Sequence, residues 1–327
     1  MAKNIIGLDI GGANLKAADA HGWARTIPFE LWKRPAELAG ALVSLIVQPP
    51  DQLCVTMTGE LCDCFPTKQD GVSAILDAVD HAFPKIPTRV WSTAERWLSP
   101  AEARVDWVSV AAANWHVLAT YAARKWVKQG TGLLVDIGST TSDIIPLNEG
   151  KASSVGLTDE MRLESVELVY TGARRTPICS LVGEKVCAEL FATTLDAYLL
   201  LGRISDDESC RDTADGRPAT RPYAHARMAR MLGGDAATIS ESQTMILAQK
   251  SIDQQCRMIT SAIRHVADTL AAPPDRVIVC GSGAFILRQA SLTVPFSPTR
   301  LLYLADHWSE AQSSAACAVA AAFLGDD

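Results

Sequence analysis

Residues 133–147, LLVDIGSTTSDIIPL, are an apolar run ending in Asp-Ile-Gly, then small hydroxyl residues, then a second apolar run. Residues 4–18, NIIGLDIGGANLKAA, have the same layout. Each reads as a strand, a tight turn and a returning strand, because short apolar runs punctuated by glycine favour sheet over helix. Two such units in one chain predict an α/β protein made of two similar halves that face one ligand.

The turns suggest what that ligand carries. The strands deliver Asp9 and Asp136 to the two turns. Gly11, Gly12 and Gly138 are expected to turn the chain with φ > 0. Such turns aim backbone N–H groups at an anion. Asn14, Ser139, Thr140 and Thr141 add polar side chains there. Carboxylates beside a phosphate would repel it, so a divalent cation is expected between Asp9, Asp136 and the ligand. Mg²⁺ suits the role, since it takes few carboxylates and bridges phosphate oxygens. Lys16, in the first returning strand, is a candidate contact to the anion. Asp143, in the second, is a candidate supporting carboxylate or general base.

Other candidates lie farther along the chain. VIVCGSGA, 277–284, is a third glycine turn after an apolar strand. Gly281, Ser282 and Gly283 there are expected to admit close approach of a ligand. Thr58, the last residue of the run 53–58, and Glu60 lie at a strand end and are placed to position a substrate. Arg174 and Arg175 suit a phosphate clamp, because guanidinium forks match phosphate oxygens. Glu60 is a candidate partner for one of them. A lone Asp-Ile-Gly turn or Arg-Arg pair is commonplace. The paired units plus the third turn, in this order, are not.

With 327 residues, 48% hydrophobic and 20% charged, the chain can bury the cores of two domains. A net charge of −7 argues against nucleic acid as a partner. The start, Met1-Ala2-Lys3-Asn4, has no leader pattern, and no apolar run is long enough to span a bilayer, so a cytoplasmic protein without membrane contact is expected. The nine cysteines are scattered and lack zinc spacing, Cys62 and Cys64 forming only a C-x-C. In a reducing cytosol they are expected to be mostly buried small hydrophobes. Most of the tryptophans among residues 91–126 are expected in the core. A homodimer is a reasonable prior.

Periodicity places strands at 4–10, 13–20, 24–29, 53–58, 88–92 and 276–280. It places helices at 35–47, 70–83, 109–126, 225–232, 238–271 and 309–324. Residues 150–176 read as irregular, and 184–201 as a strand and a helix. The polar stretch 203–224 is long enough to be functional or mobile.

The motif order resembles the acetate kinase, sugar kinase, Hsp70 and actin superfamily. In that comparison 4–18 and 133–147 are the phosphate motifs and 277–287 the adenosine motif. Thr58-Gly59-Glu60-Leu61 is similar to a segment of the hydantoinase A/oxoprolinase branch. Closer still, VTMTGELCD (55–63), DIGSTTSDIIPL (136–147), YTGARRTP (170–177) and DTADGRPATRPYAHARMARML (212–232) resemble synthases of methanofuran biosynthesis, linked to tetrahydromethanopterin-dependent one-carbon metabolism.

The resemblance implies two actin-like, ribonuclease H-like domains with a central cleft. The first would be 1–130, closed by the helix 309–324. The second would be 131–308, with an inserted segment at about 150–235. It implies a Mg²⁺-dependent transferase that condenses an aminomethylfuran-methyl diphosphate with a tyramine- or tyrosine-type phenol and releases pyrophosphate. Asp9, Asp143, Arg174 and Arg175 would carry the chemistry. The alternatives are an ATP-dependent phosphotransferase or hydantoinase-type hydrolase, and a non-catalytic nucleotide-binding protein.

Overall fold

A computed structural model describes residues 3–289 and 301–326. Its first sheet is built from β1 (Ile5–Ile10), β2 (Asn14–Ala18), β3 (Ala24–Pro28), β4 (Gln52–Met57), β5 (Thr88–Ser92) and β6 (Arg96–Leu98), in the order β3-β2-β1-β4-β5-β6. The second uses β7 (Thr131–Ile137), β8 (Ser142–Asn148), β9 (Lys151–Ala152), β10 (Leu168–Val169), β11 (Arg276–Cys280) and β12 (Leu301–Tyr303), in the order β10-β8-β7-β11-β12, with β9 beside β8.

The two sheets share one plan. In each, a hairpin and a third antiparallel strand lie on one side, and two parallel strands lie on the other. This is the ribonuclease H-like plan of actin-like proteins. Every residue of β1 and β4 is buried, as parallel strands covered on both faces require.

Two helices lie between the sheets. Asn114–Trp126 and Ala316–Asp326 share one core cluster with Ile5 and Cys54 of the first sheet and Leu134, Ile145 and Ile278 of the second. The second of these helices packs on β1, β2 and β4, closing the first sheet as expected. Gly7 makes this possible, because a Cβ there would collide with the Ala318 carbonyl and lie 2.7 Å from the Ala322 nitrogen.

Four expectations about elements need correction. The helix expected at 109–126 is broken into Trp107–Val110 and Asn114–Trp126, with Ala112 between them at φ 50°. The closing helix is also two, Glu310–Ser314 and Ala316–Asp326. Residues 184–201 hold the helix Thr194–Leu200 but no strand, because Thr193 makes only an isolated bridge to Pro177. β6 and β12 lie outside every expected strand, and 150–176, read as irregular, holds β9, β10 and the helix Asp159–Glu164.

Candidate active site

The two hairpins match residue for residue. Ile10 pairs with Leu15 and Ile137 with Ser142, so each turn has four residues, 11–14 and 138–141. The Gly11 N–H donates to the Asn14 carbonyl (3.1 Å), and the Gly138 N–H to the Thr141 carbonyl (2.8 Å). None of Gly11, Gly12 and Gly138 takes positive φ, contrary to expectation. Glycine serves crowding there instead. A Cβ on Gly11 would lie 3.0 Å from the Asn14 carbonyl, and one on Gly12 2.8 Å from Cys62 Sγ.

One register step inside each turn, the hairpins differ in charge. Asp9 faces Lys16, and Asp136 faces Asp143. Directly opposed residues share a sheet face, so the first pair attracts and the second repels. Lys16 Nζ bonds Asp9 Oδ2 at 2.9 Å, and that carboxylate strengthens the hold of Lys16 on its proton. Asp136 keeps part of its surface accessible but sits deep in protein. Burial first, and Asp143 second, push its carboxyl up to about 7.

Asp143 is not free. Its carboxylate pairs with Arg162 of the helix Asp159–Glu164, and the same guanidinium bonds Asp159 at 3.4 Å. Arg162 is 1% exposed and lies 4.1 Å over the Trp115 ring. It was not singled out in the sequence, where it is one arginine in an irregular stretch.

Among the described residues, four buried polar atoms around these hairpins lack a partner: Asp9 Oδ1, Thr56 Oγ1, Glu60 Oε2 and Arg162 Nε. Asp9 and Thr56 are neighbours in the β1–β4 ladder. Buried polar atoms without partners are unusual, and a cluster of them marks where a ligand or water belongs. Thr58 sits beside Gly11, its Oγ1 3.4 Å from where a Cβ would be, and its N–H bonds the Ile10 carbonyl at 3.0 Å. Glu60 is 1% exposed, and burial pushes its carboxyl up to about 7. It pairs with neither expected arginine. Gly71 explains its fixed place, since a Cβ there would collide with the Glu60 main chain.

Arg174 and Arg175 reach the site through their backbone. Both N–H groups donate to the Ser139 carbonyl at 3.0 Å. Their side chains turn to the segment 203–220, Arg174 to Cys210 Sγ at 3.4 Å and Arg175 to Asp212 at 3.0 Å. That segment is tied down by the buried Arg227, which bonds Asp196 (2.7 Å) and Asp215 (2.9 Å). Gly172 presses on the second turn, where a Cβ would lie 2.6 Å from Ser139 C and Thr140 N. Gln255 holds Gly172 from behind, donating to its carbonyl at 2.7 Å and accepting from the Tyr198 hydroxyl at 2.6 Å. Neither Gln255 nor Gly71 carries a motif that a sequence reading would select.

The third glycine turn also meets protein. A Cβ on Gly281, at φ 86°, would collide with Asp136 Oδ1, and one on Gly283 with the Ile137 side chain. These glycines therefore seat β11 against the end of β7, while Ser282 is exposed. The buried thiols of Cys280 and Cys317 line the same region and are held protonated by burial.

Among the described residues, no three His, Cys, Asp or Glu side chains gather to hold a metal ion. Asp9 Oδ1, buried without a partner, nevertheless fits a cation that takes its remaining ligands from phosphate oxygens and water. A separate hollow of about 270 Å³ between Val182, Leu232 and Leu247 shares no residue with the hairpins. No helix among the described residues is long and apolar enough to cross a membrane.

Residues 51–323 match the profile of the family described as Hydantoinase/oxoprolinase. A protein of Methanocaldococcus jannaschii is 33% identical over 299 residues, 88% of each chain, and is named "(4-{4-[2-(gamma-L-glutamylamino)ethyl]phenoxymethyl}furan-2-yl)methanamine synthase". A protein of Methanococcus vannielii with the same name is 35% identical over 48% of this chain and 73% of its own. Among solved structures, a chain of a PilM-PilN type IV pilus biogenesis complex is similar with a TM-score of 0.51, 12% identity and 99% coverage of both chains. An acetone carboxylase chain is similar with a TM-score of 0.52 and 9% identity, over 87% of this chain and 66% of its own. At such identities these two structures speak for the fold alone.

Proposed function

The chain belongs to the hydantoinase/oxoprolinase family, and from that premise we propose that it is a synthase of a methanofuran-type cofactor, joining a furan methylene to a phenol oxygen. The observation that carries this reading is the 33% identity, spread over 88% of both chains, to a protein named for such a product. The product in that name contains a phenoxymethyl–furan ether and a primary amine on the furan methylene. The ether is made most directly from a furan methylene bearing a leaving group and a phenol. A diphosphate is the proposed leaving group, and tyramine- or tyrosine-type phenols are the proposed acceptors.

The hairpin turns and the backbone packed on Ser139 would hold the diphosphate, with Lys16 supplying positive charge beside Asp9. Asp9 and Asp136 would hold Mg²⁺, which supplies neutralisation of the pyrophosphate charge. The C–O bond to the diphosphate breaks and its electron pair leaves with pyrophosphate. The furan ring delocalises the positive charge left on the methylene. The phenol oxygen then bonds that carbon, and its proton passes to Asp143. Arg162 keeps Asp143 oriented. The order of events fits, because a phenol already bonding to a cationic carbon is a strong acid. Such an enzyme would serve tetrahydromethanopterin-linked one-carbon metabolism.

The test is to incubate the protein, with Mg²⁺, with an aminomethylfuran-methyl diphosphate and γ-glutamyltyramine, tyramine or tyrosine. Aryl ether detected by mass spectrometry, with an equal amount of pyrophosphate, supports the reading. No ether with any phenol, alongside phosphoryl transfer or hydrolysis driven by ATP, sinks it.

A further inference from the structure

Glu60 is the carboxylate that the mechanism above leaves unused. It is 1% exposed, and its Oε2 has no hydrogen-bond partner. The backbone amides of Glu60 and Ala112 lie close enough to the carboxylate to favour its charged form. The charges that act on it are Asp159, from the element that also carries Arg162, and Lys68 at the start of the helix Lys68–Ala82. Among the described residues no hydrogen bond or ion pair joins Lys68 to Glu60 or Asp159, so the orphaned oxygen is left without a cation. Asp159, 30% exposed, shares Arg162 with Asp143, so it too has bonding capacity left.

A buried carboxylate oxygen with nothing to accept from is expensive to keep. The Asp159 carboxylate, on the helix Asp159–Glu164 of the second half, is close enough to act on its charge. The surroundings of Glu60 suit a compact cation with several N–H donors and reject an anion. The product named for the similar protein carries such a group, a primary amine one carbon from the furan. The diphosphate end of the same substrate would lie at the hairpin turns, among Asp9, Lys16 and Asp136. One molecule would thus present a cation to one end of the site and an anion to the other.

We propose that Glu60 Oε2, with Asp159 nearby, is the subsite for the ammonium of the aminomethyl group on the furan substrate. The proposal rests on the synthase reading above. It assigns Glu60 to substrate selection rather than proton transfer. With the subsite empty, burial holds the Glu60 carboxyl up at about 7, and an arriving ammonium draws it back to the charged form. Binding near neutral pH should therefore release protons.

The experiment compares two diphosphates, one with the aminomethyl group and one with a methyl group in its place, on the wild type and on Glu60→Gln. The wild type should use the amine-bearing diphosphate with a kcat/KM roughly 10–100-fold higher, the scale for one hydrogen bond to a charged group. Glu60→Gln should erase most of that difference by raising KM for the amine-bearing compound, with kcat little changed and the methyl compound unaffected. Asp159→Asn should reduce it less. Equal use of both diphosphates by the wild type overturns the proposal, and so does a Glu60→Gln variant that loses both equally. Should Glu60→Gln not fold, furfurylamine and furfuryl alcohol as competitors of the wild type decide the matter. Inhibition by the amine alone supports the subsite, and equal inhibition overturns it. If the wild type makes no ether from either diphosphate, the synthase reading itself fails, a result distinct from these.

Discussion

Asp9 divides its two oxygens between two tasks. Oδ2 is held by Lys16 at 2.9 Å, and Oδ1 is buried and unpartnered. Asp9→Asn keeps the shape but offers an amide where a cation belongs. It should lower kcat/KM on the order of 10²–10³-fold, the range for losing a group that holds developing charge. Steady-state kinetics over a Mg²⁺ series checks this, and a variant as active as wild type at every concentration would remove Asp9 from the site. Arg162 gives a stability counterpart. Arg162→Met leaves Asp143 charged and uncompensated, which should cost about 3–5 kcal/mol in urea unfolding. Adding Asp143→Asn should return much of that loss. At this scale the sequence was readable where charge sits inside a hairpin motif, as with Asp9, Lys16, Asp136 and Asp143. It was silent on Arg162, Gly71 and Gln255. Their importance comes from what folds against them, and no local pattern marks that.

Among the elements, the loop 170–177 decides the shape of the second turn. Gly172 fits because its missing Cβ leaves room for the Ser139 and Thr140 backbone. Gly172→Ala should lift the loop, weaken diphosphate binding and destabilise the protein by about 1–3 kcal/mol. Calorimetric titration with pyrophosphate and Mg²⁺, beside a thermal melt, would show both effects. Unchanged binding would mean the loop does not shape the turn. The element reading from sequence succeeded for long periodic segments such as Glu241–Asp268 and for the hairpins. It failed at 109–126, where an unbroken apolar pattern hides the turn at Ala112. Helix periodicity reports a buried face, and a local break that keeps the face buried leaves it unchanged.

For the whole molecule, two carboxyls raised by burial add a pH dependence to stability. Asp136 moves from an ordinary 3.8 to about 7, and Glu60 from 4.5 to about 7. A carboxyl with a raised folded-state value keeps a proton that the unfolded chain has already shed. Its contribution is complete below the unfolded value and is lost as pH rises through the folded one. The ligand-free protein should therefore lose stability between about pH 4 and pH 7 from these groups. Asp136→Asn should flatten that slope in a series of thermal melts, and an unchanged slope would mean that Asp136 titrates normally. Mg²⁺ with diphosphate should reverse the trend, since a bound cation stabilises the charged form.

The seat of Ala318 on Gly7 has a consequence for how the chain is made. The face of β1 and β4 covered by the helix Ala316–Asp326 is finished by residues that leave the ribosome some three hundred positions after β1. Until then a nascent chain carries an uncovered apolar sheet, Ile5 and Cys54 included. Emerging order and folding order are thus inverted in part, and the half synthesised first is the half completed last. Chaperone occupancy during translation should be concentrated on the first sheet and should end when this helix arrives.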